Sequence, residues 1–293
     1  MKICTFKDRK IEKVGIIYKE QVIDIALLSD TLSNFEKEEF PVIWSIVELI
    51  QKWEKVKKMM KVGEKTFGNK FLPIFSAKKP EFGAPVARES KIICLGKNYS
   101  AHAKETGSSV PEAPILFGKF ADCVIANGDP IIYPAYAKRI DPEVELAVIM
   151  GKTGKNILIK NAMEYVFGYT IANDITEREM EYSDMKKGQP WFRSKNFDTA
   201  MPIGPYIVTK DEIRNPHKLD IELNVNGKIR QKGNTRDMIF KINHLIYYIS
   251  QYLTLYPGDI ISTGTVSGIA PVKKGDVIQC YIEKIGTLKN RVK

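Results

Sequence analysis

The sequence predicts a mixed α/β, β-rich protein, with a small N-terminal α/β domain ahead of a larger unit built mainly of strands. Three observations carry that expectation. From Lys91 onward, apolar runs of strand length alternate with turn residues, without regular strand–helix alternation, which disfavours a Rossmann or barrel fold. Asn226-Gly227 and Gly286 join neighbouring runs as hairpins. Long helical periodicity is confined to one segment in each part.

Taken in order, Ile3–Phe6, Val14–Tyr18 and Val22–Ile25 are closely spaced strand-length runs, as in a meander. Val42, Ile43, Ile46, Val47, Leu49, Ile50, Trp53 and Val56 follow a helical rhythm entered after Pro41. Around Ser76–Pro85 the periodicity stops and Pro and Gly accumulate, so residues 1–75 are expected to form the small domain, 76–90 a linker and 91–293 the large unit. There, Ile92–Leu95, Val144–Met150, Phe167–Ala172, Leu219–Val225, Lys228–Lys232, Ile260–Thr263, Val277–Glu283 and Thr287–Val292 are expected strands. Ile239, Ile242, Leu245, Ile246, Ile249 and Leu253 mark a helix ending before Pro257-Gly258.

Composition narrows the function classes. The 293 residues are 44% hydrophobic and 27% charged, ordinary values for a globular chain. No apolar run approaches membrane-helix length, and the N-terminal segment lacks the apolar core of a signal peptide, so no membrane partner is expected. Four cysteines far apart, with no C-x-x-C pair, exclude a local zinc knuckle and suit a reducing, cytoplasmic setting. The net charge of +10 raises nucleic acid as a partner, but the excess is spread: residues 1–90 carry 17 basic against 13 acidic side chains. No nucleic-acid-binding motif accompanies it, and no nucleic-acid partner is expected.

The residues able to do chemistry begin at Glu143-Val144-Glu145. On a strand, Glu143 and Glu145 point the same way, roughly 7 Å apart at Cα. Two adjacent acids repel unless a cation or proton neutralises them, yet Glu-x-Glu is also the pattern of an edge strand with a polar solvent face. Asp174 ends another apolar strand and offers a third carboxylate; it also suits the N-cap of a helix starting near Thr176. Three carboxylates with waters would suit Mg2+ or Mn2+. His102 and Glu105 lie one helical turn apart, the construction of a general base oriented by an acid, and equally that of an incidental surface pair. His217 and His244 read as structural.

Together these segments resemble a known family. Gly96-Lys97-Asn98-Tyr99 with His102 and Glu105, Pro114–Lys119, Glu143–Ala147, Gly168-Tyr169-Thr170 with Asp174 and Arg178, Ser194–Asp198 and Thr263-Gly264-Thr265 are similar, in order and spacing, to the fumarylacetoacetate hydrolase family over residues 91–293. The N-terminal part resembles the variable appendage of longer members. The resemblance implies a mixed β-sandwich roll, a homodimer, and one divalent metal per site: Mg2+ or Mn2+, with Ca2+ able to stand in its place. It implies Glu143, Glu145 and Asp174 as metal ligands and Lys195 as the active-site lysine. It also implies His102 with Glu105 as a water-activating dyad, Arg178 near a substrate carboxylate, and Thr265 as a substrate contact. Two positions depart from the family pattern: Glu181 stands in place of an amide, and Val266 in place of a proline. The activity so implied is hydrolysis of a C–C bond in a 2,4-dioxo acid, an acylpyruvate or a diketo-deoxy sugar acid, through a metal-stabilised enolate. Tautomerisation, decarboxylation or dehydration of a related 2-oxo acid is the alternative, and a non-enzymatic basic scaffold a minor one.

Overall fold

The computed structural model describes residues 1–8, 11–36, 39–77 and 80–293. Its centre is an eleven-stranded sheet. The order is Gln21–Asp24, Ile11–Tyr18, Lys2–Asp8, Met201–Thr209, Val166–Asn173, Val144–Met150, Ile260–Thr265, Ile92–Gly96 and Ile115–Lys119, with Glu81–Gly83 and Val124–Ile125 paired off this path. Neighbours along the path run antiparallel except Ile260–Thr265 beside Ile92–Gly96. A five-stranded sheet, Lys228–Asn234, Asp220–Val225, Val277–Ile282, Gly286–Val292 and Pro130–Ile131, packs across the middle strands of the large sheet. The result is the expected mixed, β-rich layering, whose shared core includes Leu146, Val148, Ile171, Ile203, Ile221 and Leu288.

Most of the expected strands form within a residue or two of their predicted ends. At Asn226-Gly227 both φ angles are positive (52° and 80°), the geometry that a two-residue hairpin requires. Other elements differ. Val22–Ile25 stops at Asp24, whose Oδ1 accepts from Leu27 N–H at 3.1 Å and starts a helix over Ile25–Glu36. The single helix expected over Val42–Val56 is two, Ile46–Gln51 and Trp53–Phe67. Ser45 caps the first by accepting from Glu48 N–H, and Glu48 reaches back to Trp44 N–H at 2.7 Å, so the entry signal was Ser45-x-x-Glu48 rather than Pro41. In the expected linker, Glu81–Gly83 pairs with Lys2–Asp8, while Lys78 and Lys79 lie outside the described residues.

The strand Met201–Thr209 was not expected, because Pro202, Gly204 and Pro205 argue against a central strand. It is accommodated where its ladder with Val166–Asn173 shifts register between Tyr169 and Ile171, so Pro205 falls at an interruption of the pairing. Its other edge pairs with Lys2–Asp8, which ties the N-terminal strands into the same sheet.

Candidate metal and proton-transfer site

Val144–Met150 is a central strand, hydrogen-bonded to Val166–Asn173 on one side and Ile260–Thr265 on the other, with every residue buried. That removes the reading of Glu143 and Glu145 as a solvent face. Asn173 side-chain oxygen accepts from Glu143 N–H at 2.9 Å, and Asp174 N–H donates to Glu143 carbonyl at 2.9 Å. The end of one strand is thereby fixed against the end of the next. Among the described residues, Glu143, Glu145 and Asp174 form one cluster whose carboxylate oxygens lie within 4.8 Å of one another, all buried. Asp174 is not a helix cap: Glu177 caps Arg178–Lys186 by accepting from Met180 N–H.

Two ammonium groups face this cluster. Lys195 Nζ donates to Glu143 Oε2 at 3.0 Å, Asp174 Oδ2 at 2.7 Å and Thr176 Oγ1 at 2.7 Å, which uses all three of its protons. Lys119 Nζ donates to the other oxygen of Asp174 and to Ile175 carbonyl at 3.1 Å. Burial opposes ionisation of Glu143, but the Lys195 and Arg178 charges outweigh it and hold its carboxyl well below the usual range. Burial disfavours the charged form of Lys195 too, and Asp174 and Glu143 more than offset that, raising it. Glu145 goes the other way: burial, then the charge of Asp174, push it up to about 8, against a Ser262 hydroxyl at 2.6 Å. The two lysines therefore do not fully neutralise the triad. Three converging hard oxygens, with Glu145 disfavoured as an anion by burial and by Asp174, fit a divalent cation such as Mg2+ or Mn2+.

Arg178 lies in the same cluster, only 2% exposed. Its Nε donates to Asp141 Oδ2 at 3.0 Å, and its terminal nitrogens to Glu143 and Glu181. Three protein carboxylates thus occupy the guanidinium that was expected near a substrate carboxylate. Glu181, the departure noted in the sequence, is one of them. Thr265 Oγ1 donates to Val144 carbonyl at 2.8 Å and accepts from Gln231 Nε2 at 2.8 Å, while its side chain lines the pocket.

His102 is also in that pocket, with Glu143, Glu145, Arg178, Glu181, Lys195 and Thr265. It sits on the helix Ser100–Glu105, 6% exposed, and its Nδ1 lies 3.4 Å from Glu105 Oε2. Glu105 is held in turn by Gly268 N–H at 3.0 Å; burial raises its carboxyl, but the His102 and Gly268 contacts outweigh that and lower it. The Glu105 contact is made by one ring nitrogen, Nδ1, so the other is not engaged by that acid. His217 and His244 make local packing contacts: Nε2 of the first accepts from Ile242 N–H at 3.1 Å, and the second packs at a tilt against Phe240 with ring centres 5.4 Å apart.

Sequence reasoning assigned no role to Lys119, Trp191 or Gln231. A lysine closing the apolar run Ile115–Lys119 was a signal for the first. Trp191 packs edge-on to Phe117 at 5.6 Å and walls the pocket above Gly96, where a Cβ would come within 2.5 Å of its ring. Only glycine leaves room for that ring.

With this geometry, comparison with known proteins is direct. Residues 91–293 match the fumarylacetoacetate (FAA) hydrolase C-terminal family. The chain belongs to the fumarylacetoacetate hydrolase family. Within it, the chain is 45% identical over 228 residues to the mitochondrial oxaloacetate tautomerase Fahd2a of Rattus norvegicus, covering 75% of this chain and 72% of that protein. Its fold is similar to that of maleylpyruvate hydrolase from Sphingobium sp. SYK-6 in complex with manganese(II) and pyruvate: TM-score 0.79, 28% identity, 100% of this chain and 98% of that one. It is also similar to 5-carboxymethyl-2-hydroxymuconate delta-isomerase from Mycobacterium smegmatis: TM-score 0.73, 29% identity, 100% and 98% covered. These relatives are named as a tautomerase, a hydrolase and an isomerase, so this chain is an enzyme of a family whose members differ in reaction. Among the described residues no helix is long and apolar enough to cross a membrane.

Proposed function

We propose that this protein binds a small 2-oxo acid at the Glu143–Glu145–Asp174 triad and hydrolyses a C–C bond in a 2,4-dioxo acid of the acylpyruvate type. The observation that carries this reading is the presence of His102, backed by Glu105, in the same pocket as Glu143 and Glu145 of the triad. A divalent cation held by Glu143, Glu145 and Asp174 would supply positive charge to the carboxylate and keto oxygens of the substrate. Lys195 and Lys119 keep Glu143 and Asp174 oriented toward one point. His102, its Nδ1 turned to Glu105, takes a proton from water at the other ring nitrogen. The water oxygen joins the distal carbonyl carbon, the bond from that carbon to C3 breaks, and C3 collects the proton. The products are a carboxylic acid and a shorter 2-oxo acid. Phe117, Trp191 and Tyr182 wall the pocket and exclude bulk water from the bond being cleaved.

Keto–enol tautomerisation of a four-carbon 2-oxo diacid is the second reading, favoured by the 45% identity to an oxaloacetate tautomerase. It uses the same binding groups, with His102 carrying a proton between C3 and the keto oxygen. The Mn2+-supplemented protein should be offered acylpyruvates and enol-oxaloacetate in parallel. Release of pyruvate with the acid supports hydrolysis; faster loss of enol absorbance without carbon–carbon cleavage supports tautomerisation. Neither reaction from active-site-intact protein would sink both readings.

We also propose a homodimer in a reducing compartment. Phe120 and Phe192, 58% and 55% exposed, stack edge-to-face on the surface and suit burial against a second copy, and all four cysteines are free and buried.

A further inference from the structure

Gln231 is fully buried on the outer strand of the five-stranded sheet, Lys228–Asn234, and its side chain joins two other segments to that strand. Its Oε1 accepts at 3.0 Å from the N–H of Val144, the residue between the two glutamates of the triad. Its Nε2 donates to Thr265 Oγ1 at 2.8 Å and to Val266 carbonyl at 2.6 Å, which uses both protons of the amide. Thr265 Oγ1 donates in turn to Val144 carbonyl at 2.8 Å and closes the ring of contacts. Beyond Val266 the same loop reaches Gly268, whose N–H donates to both oxygens of Glu105 at 3.0 and 3.1 Å. The strand supports this loop at two more points. Val266 lies over Gly233, where a Cβ would come within 2.6 Å of its Cγ1. Gly268 lies against Arg230, where a Cβ would come within 2.0 Å of the backbone carbonyl oxygen.

The two ends of this network are anchored unequally. Glu143 is held by Lys195 and, through its backbone, by Asn173 and Asp174. Glu145 is held by the Ser262 hydroxyl and Gly264 N–H, and Asp174 by Lys119 and Lys195. None of those bonds passes through Gln231. Among the described residues, Glu105 is held by His102 and by backbone N–H groups of the loop that Gln231 ties down.

We propose that Gln231 is a positioning residue: it registers the loop Val266–Ile269, and through Gly268 the Glu105–His102 pair, against the cation triad. This rests on the reading of His102 as the proton-transfer group of the site. A buried amide with all three bonds satisfied fixes the separation between the strand end and the loop. Without it the loop drifts and carries His102 with it, and a displacement of about 1 Å costs on the order of 100-fold in rate. The triad keeps its own hydrogen bonds, so cation binding is spared.

Two variants perturb the register from opposite sides. Gln231→Met removes the amide and keeps most of its volume, while Gly233→Ala keeps the amide and pushes Val266 off the strand. Three quantities are measured for each: Mn2+ affinity by calorimetry, hydrogen–deuterium exchange of the segment Val266–Ala270, and kcat and KM for whichever of the two proposed reactions the wild type performs. Mn2+ affinity and KM should hold. Exchange of Val266–Ala270 should quicken while Val144–Met150 stays protected, and kcat should fall about 10- to 100-fold. Unchanged exchange in Gln231→Met overturns the proposal, as does faster exchange with undiminished kcat. Parallel loss of Mn2+ binding would place the amide in the cation site, and faster exchange throughout Val144–Met150 would make its role merely structural; either result overturns it too. Should one variant fail to fold, the other carries the same test. A wild type that performs neither reaction counts against the proposed function, while exchange and Mn2+ affinity still decide whether Gln231 holds the loop independently of the triad.

Discussion

Arg178 is the buried group whose removal has the most calculable consequence. Its loss falls unequally on the three acids it holds. Asp141 keeps a two-pronged bond from Arg139, with Nε and a terminal nitrogen both at 3.0 Å. Glu143 keeps Lys195 at 3.0 Å. Glu181, 6% exposed, has Arg178 as its one ion-pair partner among the described residues. Arg178→Met preserves most of the bulk and strands a single buried carboxylate, a class of change that costs about 3–5 kcal/mol. Unfolding entropy of about 2.1 cal/mol/K per residue, over 293 residues, comes to about 0.6 kcal/mol/K, so Tm should fall by about 5–8 °C. Adding Glu181→Met removes the stranded charge, and the double variant should regain more than half of the loss, a coupling of about 2–3 kcal/mol. The assay is thermal unfolding followed by circular dichroism, at neutral pH with chelator present so that cation binding does not enter. An unchanged Tm in Arg178→Met, or a double variant no more stable than that single one, would refute the argument.

Three further outcomes follow from the site. Glu145→Gln should abolish uptake of Mn2+ without unfolding the chain, because it replaces a cation-ligating oxygen pair with an amide; normal metal content by elemental analysis of that variant would overturn the triad as the cation site. His102→Ala should lower hydrolysis by roughly two to four orders of magnitude while Mn2+ affinity, measured calorimetrically, persists; parallel loss of both would make His102 a ligand or a structural residue. Glu105 is lowered in the folded state, so its contribution to stability is complete above the ordinary carboxylate range and disappears as pH falls through its lowered value. Glu105→Gln should accordingly destabilise the protein at pH 7 and converge with the wild type in strong acid, and a difference that grew on acidification would contradict the assignment.

The strands Val144–Met150, Val166–Asn173 and Ile260–Thr265 were legible because they are apolar on both faces and bounded by turns, and burial on both faces admits little else, but their order in the sheet was not. The period of two likewise placed Glu143 and Glu145 on one side of their strand, and Asp174 at the end of another. Sequence alone left open whether those acids face water, since periodicity reports a side chain relative to its own strand and says nothing of the strand's neighbours. Pairing of Glu145 with Thr265 and of Val144 with Asn173 closed both flanks and answered it. The same limit hid Lys119, which reaches Asp174 across 55 positions of chain, and the saturation of Arg178 by Asp141, Glu143 and Glu181. Met201–Thr209 was hidden for the opposite reason: its prolines are locally unfavourable to a strand, and only an interruption in the ladder of its neighbour makes room for Pro205. Which residue types do chemistry was thus written locally, in spacing and in apolar flanks. How their charges balance was decided by long-range pairing, where desolvated groups must find partners wherever the fold brings them.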